Sequence, residues 1–465
     1  KQVVQNSVDF IEETFSQVKM GEPEALEHRG MKTWMVGGTG KDEDGEQVVF
    51  LMYLFALSDG NIADIWYSVL AADEEGMDAA VKGHGVGGEL RWAISGRSAE
   101  RLQALREQLG PGAAKLPVIV ADAADPAALQ ALCARTRVVA STVGPYALFG
   151  DPLVAACVAA GTDYCDLTGE VQWVRRMIER HQSAAVQSGA RIVNCCGFDS
   201  LPSDLGVHLL QREAQARFGA PFERVRARVW KLRGGFSGGT IASLLNVVDE
   251  ARRDADLRRT LTDPYALCPP SVTKRPRQPE VRLPEYDPAA GWVAPFVMAG
   301  INTRVVHRSN ALSGMAYGHS FRYDEAVSCG PGLIGRARAT AMAGALGAGL
   351  VAGALPPLRA VLQRWVLPAP GEGPSPEQQR LGHWELRFFG EGAGDARLVL
   401  KVSGDRDPGY GSTGKMFGEA AIALAHDRGR GRRAGGFWTP ATVLGDRLVE
   451  RLGANAGVRF EFLDG

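Results

Sequence analysis

The rhythm of apolar and polar positions changes twice along the chain. In VDFIEETFSQVK, near the start, Val8, Phe10, Ile11, Phe15 and Val18 recur at helical spacing and predict a helix. Three strand-like runs follow: MKTWMV, EQVVFLMYLFAL and NIADIWYSVLA. The intervening GGTGKDEDG and SDG read as hairpin turns, so this opening segment reads as α+β. From about residue 90 short apolar runs alternate with helical patterns. LRWAIS, LPVIVAD, RVVASTV, TDYCDLT and RIVNCCG are the strands. The helices between them start at Pro or Asp and stop at Gly, as at Asp125-Pro126, Gly161 and Gly189. Five strands joined by helices predict an α/β fold, a Rossmann-like doubly wound parallel sheet.

The alternation stops near residue 222. FERVRARVWKLRGG, FVMAGINTRVVHRS, MAYGHSFRYDEAV, HWELRFFGEG and RLVLKVSG read as strands, and GGTIASLLNVVDEARRD as a helix. The tail gives a helix and a last strand, and that helix is expected to pack back on the parallel sheet. The division is then 1–85, a small α+β segment; 86–221, a dinucleotide-binding domain; and 222–465, an α+β substrate or dimerisation domain built on a largely antiparallel sheet.

Charge sharpens the first boundary. The 465 residues carry a formal net charge of −1, with 45% hydrophobic and 23% charged residues, a globular mixture. Residues 1–82 hold 16 Asp/Glu against 6 Lys/Arg, and only one of those six is Arg; the remainder holds 37 against 46. The break falls beside the change of rhythm. All seven cysteines lie after it, odd in number and with no C-x-x-C, and the eight histidines are scattered. Neither a disulfide framework nor a metal site is expected, and the compartment indicated is the cytoplasm. The basic run at 428–433 has no interleaved aromatics and reads as a solvated loop, so nucleic acid is not expected as a partner.

Candidate chemistry sits at the strand ends, where open α/β sheets bind ligands. Gly96, Arg97 and Ser98 end the first strand of the parallel sheet, at the position that meets an adenosine ribose. Arg97 there suits the 2′-phosphate of NADP(H), whereas an acid would suit NAD. Asp122 ends the next strand near the expected adenine. Val143, Gly144 and Pro145 form a tight turn after the third, and Tyr146 is the candidate proton donor, being the one phenol on that loop. The fourth strand end brings Asp166, Thr168, Gly169 and Glu170, and the fifth Gly197, Phe198, Asp199 and Ser200.

TVGPYALFGDPLVAACVAAGTDYCDLTGE and CCGFDSLPSDLG resemble the saccharopine dehydrogenase-like oxidoreductases, and most of all their bacterial trans-acting enoyl reductases. The resemblance runs from about Gly88 to the C-terminus through WKLRGGFSGGTIAS and VSGDRDPGYGSTGKM. It implies an NADP(H)-dependent oxidoreductase, a second domain completing the site, and reduction of a C=C or related bond in a lipid-like substrate. Members open on a strand and a glycine-rich turn that holds the pyrophosphate. Here Gly37-Gly-Thr-Gly40 is followed by acidic KDEDGEQ, and Gly83–Gly88 precedes a strand, so that unit is missing or replaced. The acidic opening segment resembles instead the later half of an NTF2-like domain, through DGNIADIW. An alternative is therefore a non-catalytic lipid-surface binding protein. ATAMAGALGAGLVAGAL, residues 339–355, carries no charge and is flanked by Arg336, Arg338, Arg359 and Arg364. Residues 336–366 suit peripheral contact with anionic lipid at the inner face of the plasma membrane, or packing within a homodimer.

Overall fold

The computed structural model describes residues 92–109, 113–234, 238–355, 358, 374–426 and 434–463, and five strands before them. Those five are β1 (Ser16–Met20), β2 (Glu24–His28), β3 (Met31–Lys41), β4 (Gln47–Ala56) and β5 (Ile62–Trp66). They form one antiparallel sheet in which β3 pairs with β1, β2 and β4, and β4 with β5. Two expectations change. Ser16–Met20 is a strand although the helical spacing runs on to Val18, and the rest of that expected helix lies outside the described residues. Gly37–Gly40 lies inside β3, with Gly38 opposite Phe50 and Gly40 opposite Val48, so it is ladder and not turn. Each residue of this run is registered against β4, so the run is not the open turn that cradles a phosphate.

The parallel strands follow at β6 (Ile94–Gly96), β7 (Val118–Val120), β8 (Val138–Ser141), β9 (Asp163–Asp166) and β10 (Arg191–Val193). The helices between them begin where local chemistry places them. The Asp125 carboxylate accepts the amides of Ala127 and Ala128 at 2.9 and 3.1 Å, capping Pro126–Ala134. β6 pairs with β7, and β8, β9 and β10 pair in order, all in parallel. Among the described residues no strand joins β6 to β8. In doubly wound order that slot belongs to the strand opening the dinucleotide unit. The sheet is also not completed within residues 86–221. A sixth parallel strand, β17 (Gly436–Trp438), pairs with β10 from the far end of the chain.

The second sheet is built from β11 (Arg224–Arg233), β12 (Glu285–Asp287), β13 (Gly291–Pro295), β14 (Arg322–Gly330), β15 (His383–Glu391), β16 (Arg397–Gly404) and β18 (Val458–Leu463). Their spatial order is β12-β13-β14-β11-β15-β16-β18. β11 runs parallel to β14, and every other pair is antiparallel. Helix Leu201–Phe218 leaves β10 and lies over this sheet. Leu205, Leu209 and Leu210 share a buried core with Phe222, Trp384, Phe388 and Leu400. FVMAGINTRVVHRS, expected as a strand, is the helix Ala299–Leu312. Its β-branched residues suggest a strand, but Ile301 and Val305 are buried one turn apart, as are Asn302 and Val306. Its polar residues are buried because their partners come from distant segments. Asn302 meets Ser200 at 2.9 Å and Glu325 at 2.8 Å, and Ser309 meets Thr439 at 2.6 Å and also Asp204.

Candidate active site

The C-terminal edge of the parallel sheet gathers the candidate residues in strand order. At the end of β6, Arg97 is exposed, and the Ser98 hydroxyl caps helix Ala99–Gln108 by accepting the Arg101 amide at 3.3 Å. Asp122, after β7, accepts the Ala124 amide at 2.8 Å, so its carboxylate shapes the turn before the next helix. Ser98 and Asp122 thus have local structural work, and Arg97 is exposed next to Ser98. The loop after β8 presents Val143 and Gly144 exposed, and the Gly144–Pro145 peptide is cis.

Tyr146 lies below that loop. It is 5% exposed; its hydroxyl donates to the Ser141 carbonyl at 3.0 Å and accepts from the Leu167 amide at 3.2 Å. Burial, with Asp166 and Glu170 nearby, pushes the phenol well above its ordinary range. The geometry is that of a strut tying the β8 and β9 loops together, with the proton committed to a carbonyl, rather than of a donor facing the cleft. Glu170 completes the strut. It is 1% exposed and accepts the Tyr146 amide at 2.8 Å, the Ala147 amide at 2.9 Å and the Ser243 hydroxyl at 2.9 Å. Burial raises its pKa while these donors oppose the rise. One carboxylate therefore joins the β8 loop, the β9 loop and the second domain.

The edge of β9 and β10 is where that second domain closes. A Cβ placed on Gly197 would stand 3.0 Å from Leu167 Cδ2 and 3.3 Å from Thr413 Cγ2, so glycine lets these three segments meet without pushing those side chains aside. The Phe198 amide donates to Thr413 Oγ1 at 3.0 Å. Gly169 faces Met298 and Asp199: a Cβ there would lie 3.6 Å from Met298 Cε and 3.9 Å from Asp199 Oδ2. Three other carboxylates close by are satisfied. Asp166 accepts from Thr168, Asn194 and Cys195, Asp204 from Ser309 and Ala441, and Asp407 from the amides of Gly409, Tyr410 and Gly411. Asp199 has neither a hydrogen bond nor an ion pair among the described residues. It is partly exposed, and burial alone pushes its carboxyl up to about 6. An unpaired, partly desolvated acid at a ligand-binding edge marks a functional group more than a structural one.

The residue types at this edge suit a dinucleotide: Arg97 is exposed at the end of β6, as an adenosine phosphate would require, and Val143 and Gly144 are exposed at the end of β8. Two groups of loop amides near this edge already have acceptors: Glu170 takes those of Tyr146 and Ala147, and Asp407 those of Gly409, Tyr410 and Gly411. Ser243, Met298 and Thr413 were not legible as site residues, because each reaches this edge from the other domain. Only the glycine-rich loops beside Ser243 and Thr413 hinted at them.

Comparison with known proteins agrees with this architecture. Residues 79–193 match the model of the saccharopine dehydrogenase NADP binding domain. A relative named as a trans-acting enoyl reductase in Mycobacterium tuberculosis (strain ATCC 25618 / H37Rv) is 43% identical over 384 residues, 81% of this chain and 91% of that one. The trans-acting enoyl reductase of Mycobacterium bovis (strain BCG / Pasteur 1173P2) is 40% identical over 394 residues, 80% of this chain and 91% of that one. That of Mycobacterium ulcerans (strain Agy99) is 40% identical over 379 residues, covering 78% and 89%. An NADP-binding parallel sheet, closed by a second domain and matched over most of its length by these relatives, places the chain in the saccharopine dehydrogenase-like family of NADP-dependent oxidoreductases, with the trans-acting enoyl reductases.

Proposed function

We propose that this chain reduces the C=C bond of an enoyl compound with NADPH, and that the double bond is carried on a lipid-like chain. The observation that carries the reading is Asp199, among the described residues an unpaired carboxyl at the edge where both domains converge. The relatives' names point the same way.

Each residue then has a defined task. Arg97 holds the adenosine phosphate. Glu170 and Tyr146 fix the 142–147 loop so that its backbone is presented in one position. When bound, NADPH would supply a hydride together with its electron pair. Asp199 would give its proton to one alkene carbon: the π pair forms the new C–H bond, and the O–H pair stays on the carboxylate. Met298, Leu167 and Phe198 supply an apolar wall suited to an acyl chain and to keeping water from the site.

The test is NADPH binding by fluorescence titration, followed by NADPH consumption with an enoyl thioester and with its saturated counterpart. Saturable binding with oxidation only by the enoyl substrate supports the reading. Binding with no oxidation across a series of enoyl thioesters overturns it. Absence of binding, with affinity for lipid retained, favours the alternative of a non-catalytic lipid-surface protein.

A further inference from the structure

Helix Gly332–Ala354 is nearly devoid of charge and lies largely uncovered on the protein. One side packs on the seven-stranded sheet through small residues. Ala339 is fully buried, and a Cβ on Gly335 would overlap the Gly330 carbonyl, so the helix backbone touches the end of β14 directly. The other side faces solvent with Leu333 at 82%, Ile334 at 69% and Val351 at 60% exposure, while Met342 and Leu350, on the same stripe as Gly335 and Ala339, are less exposed. Its one hydroxyl is already satisfied within the helix, Thr340 Oγ1 donating to the Arg336 carbonyl at 2.9 Å. Three large apolar side chains held this far into solvent, on a helix face otherwise of Ala and Gly, mark a contact site.

The charges around it select the partner. Between Glu325 and Glu372 the sequence contains no acidic residue, and its charged residues are Arg336, Arg338, Arg359 and Arg364. Arg336 stacks 5.3 Å from the centre of the Trp292 ring, and Trp292 packs edge-on against the exposed Tyr286 at 6.0 Å. Arginine beside Trp and Tyr at one end of an apolar face is the arrangement that settles at the boundary between head groups and acyl chains. Two copies of the face brought together would oppose arginines with no carboxylate in the segment to neutralise them. Among the described residues no helix is long and apolar enough to cross a membrane. We infer that helix Gly332–Ala354 lies on an anionic lipid surface, its Leu333, Ile334 and Val351 side in the head-group region and its arginines on lipid phosphates. This inference is independent of the reaction proposed above.

The experiment is co-sedimentation of the full chain with phosphatidylcholine vesicles, with and without phosphatidylglycerol. Binding is expected only when phosphatidylglycerol is present and is expected to fall as salt is raised. Ile334→Glu with Val351→Glu should abolish it. Arg336→Gln with Arg338→Gln should weaken it by about five-fold per arginine, since each basic residue near an anionic surface contributes on that scale. NADPH titration and thermal melting verify that the variants are folded; should the glutamate pair fail to fold, the exposed arginine pair carries the test. Absence of wild-type binding overturns the inference, as does binding unchanged in the folded variants. So does a wild-type dimer that the glutamate pair converts to monomer without any vesicle binding by the wild type, which would assign the face to a second copy.

Discussion

Replacing Asp199 by Asn should move stability and activity in opposite directions. The native fold holds this carboxyl at about 6, against the 3.8 of a free side chain, because the charged form loses water and gains no partner. Folded protein therefore binds this proton more tightly than unfolded chain does. The site is stability-neutral below about pH 4 and increasingly destabilising as pH rises towards 6. A rise from 3.8 to about 6 corresponds to about 3 kcal/mol, nearer 2 kcal/mol once partial exposure and solvent screening are allowed for. Asn cannot ionise and escapes this cost. Denaturant unfolding at pH 8 should find Asp199→Asn more stable by about 2 kcal/mol, and at pH 4 the gap should close. NADPH oxidation should fall by roughly 10²- to 10⁴-fold, the range for removing a general acid. The wild-type rate should decline above about pH 6 as the acid deprotonates. Asp199→Asn destabilised at pH 8, with a rate near that of the wild type, would refute the reasoning: the carboxylate would then be making structural contacts.

Two further substitutions probe the rest of the edge. Arg97→Asp removes the phosphate contact and supplies a ribose acceptor; KM for NADPH should rise roughly 10- to 100-fold while NADH improves, as read by steady-state kinetics with both cofactors. Glu170→Ala strips the acceptor from the amides of Tyr146 and Ala147 and should cost about 2–5 kcal/mol in denaturant unfolding. Glu170→Gln keeps one acceptor oxygen and should lose less.

The legible and illegible parts of this molecule divide along a physical line. The parallel unit could be read because its signals are local: Asp125 caps its helix with its own carboxylate, and glycines close the helices after Ala160 and Ser188. The helix Ala299–Leu312 could not be read, since Asn302 and Ser309 are buried only because Ser200, Asp204, Glu325 and Thr439 meet them there. β17 has three residues and no periodicity; the edge of β10 recruits it. At the site, the order of the strand ends was available from the alternation alone. That Tyr146 turns inward and Asp199 stays unpaired depends on loops from three strands and a second domain, which no local pattern encodes.

Strand β17 also governs how the protein can be made. Strand β10 ends at Val193 and its neighbour begins at Gly436, so a ribosome must add more than two hundred residues before that edge is covered. The Arg191 guanidinium, fully buried against Asp163 at 2.5 Å, also waits for the Leu424 carbonyl at 3.0 Å, and the buried Arg308 for that of Phe437 at 2.7 Å. Until β17 arrives, the nascent cofactor-binding half holds a bare sheet edge, which invites chaperone capture. A protease cut or a premature stop anywhere before residue 436 should therefore unfold the half of the protein that it never touches.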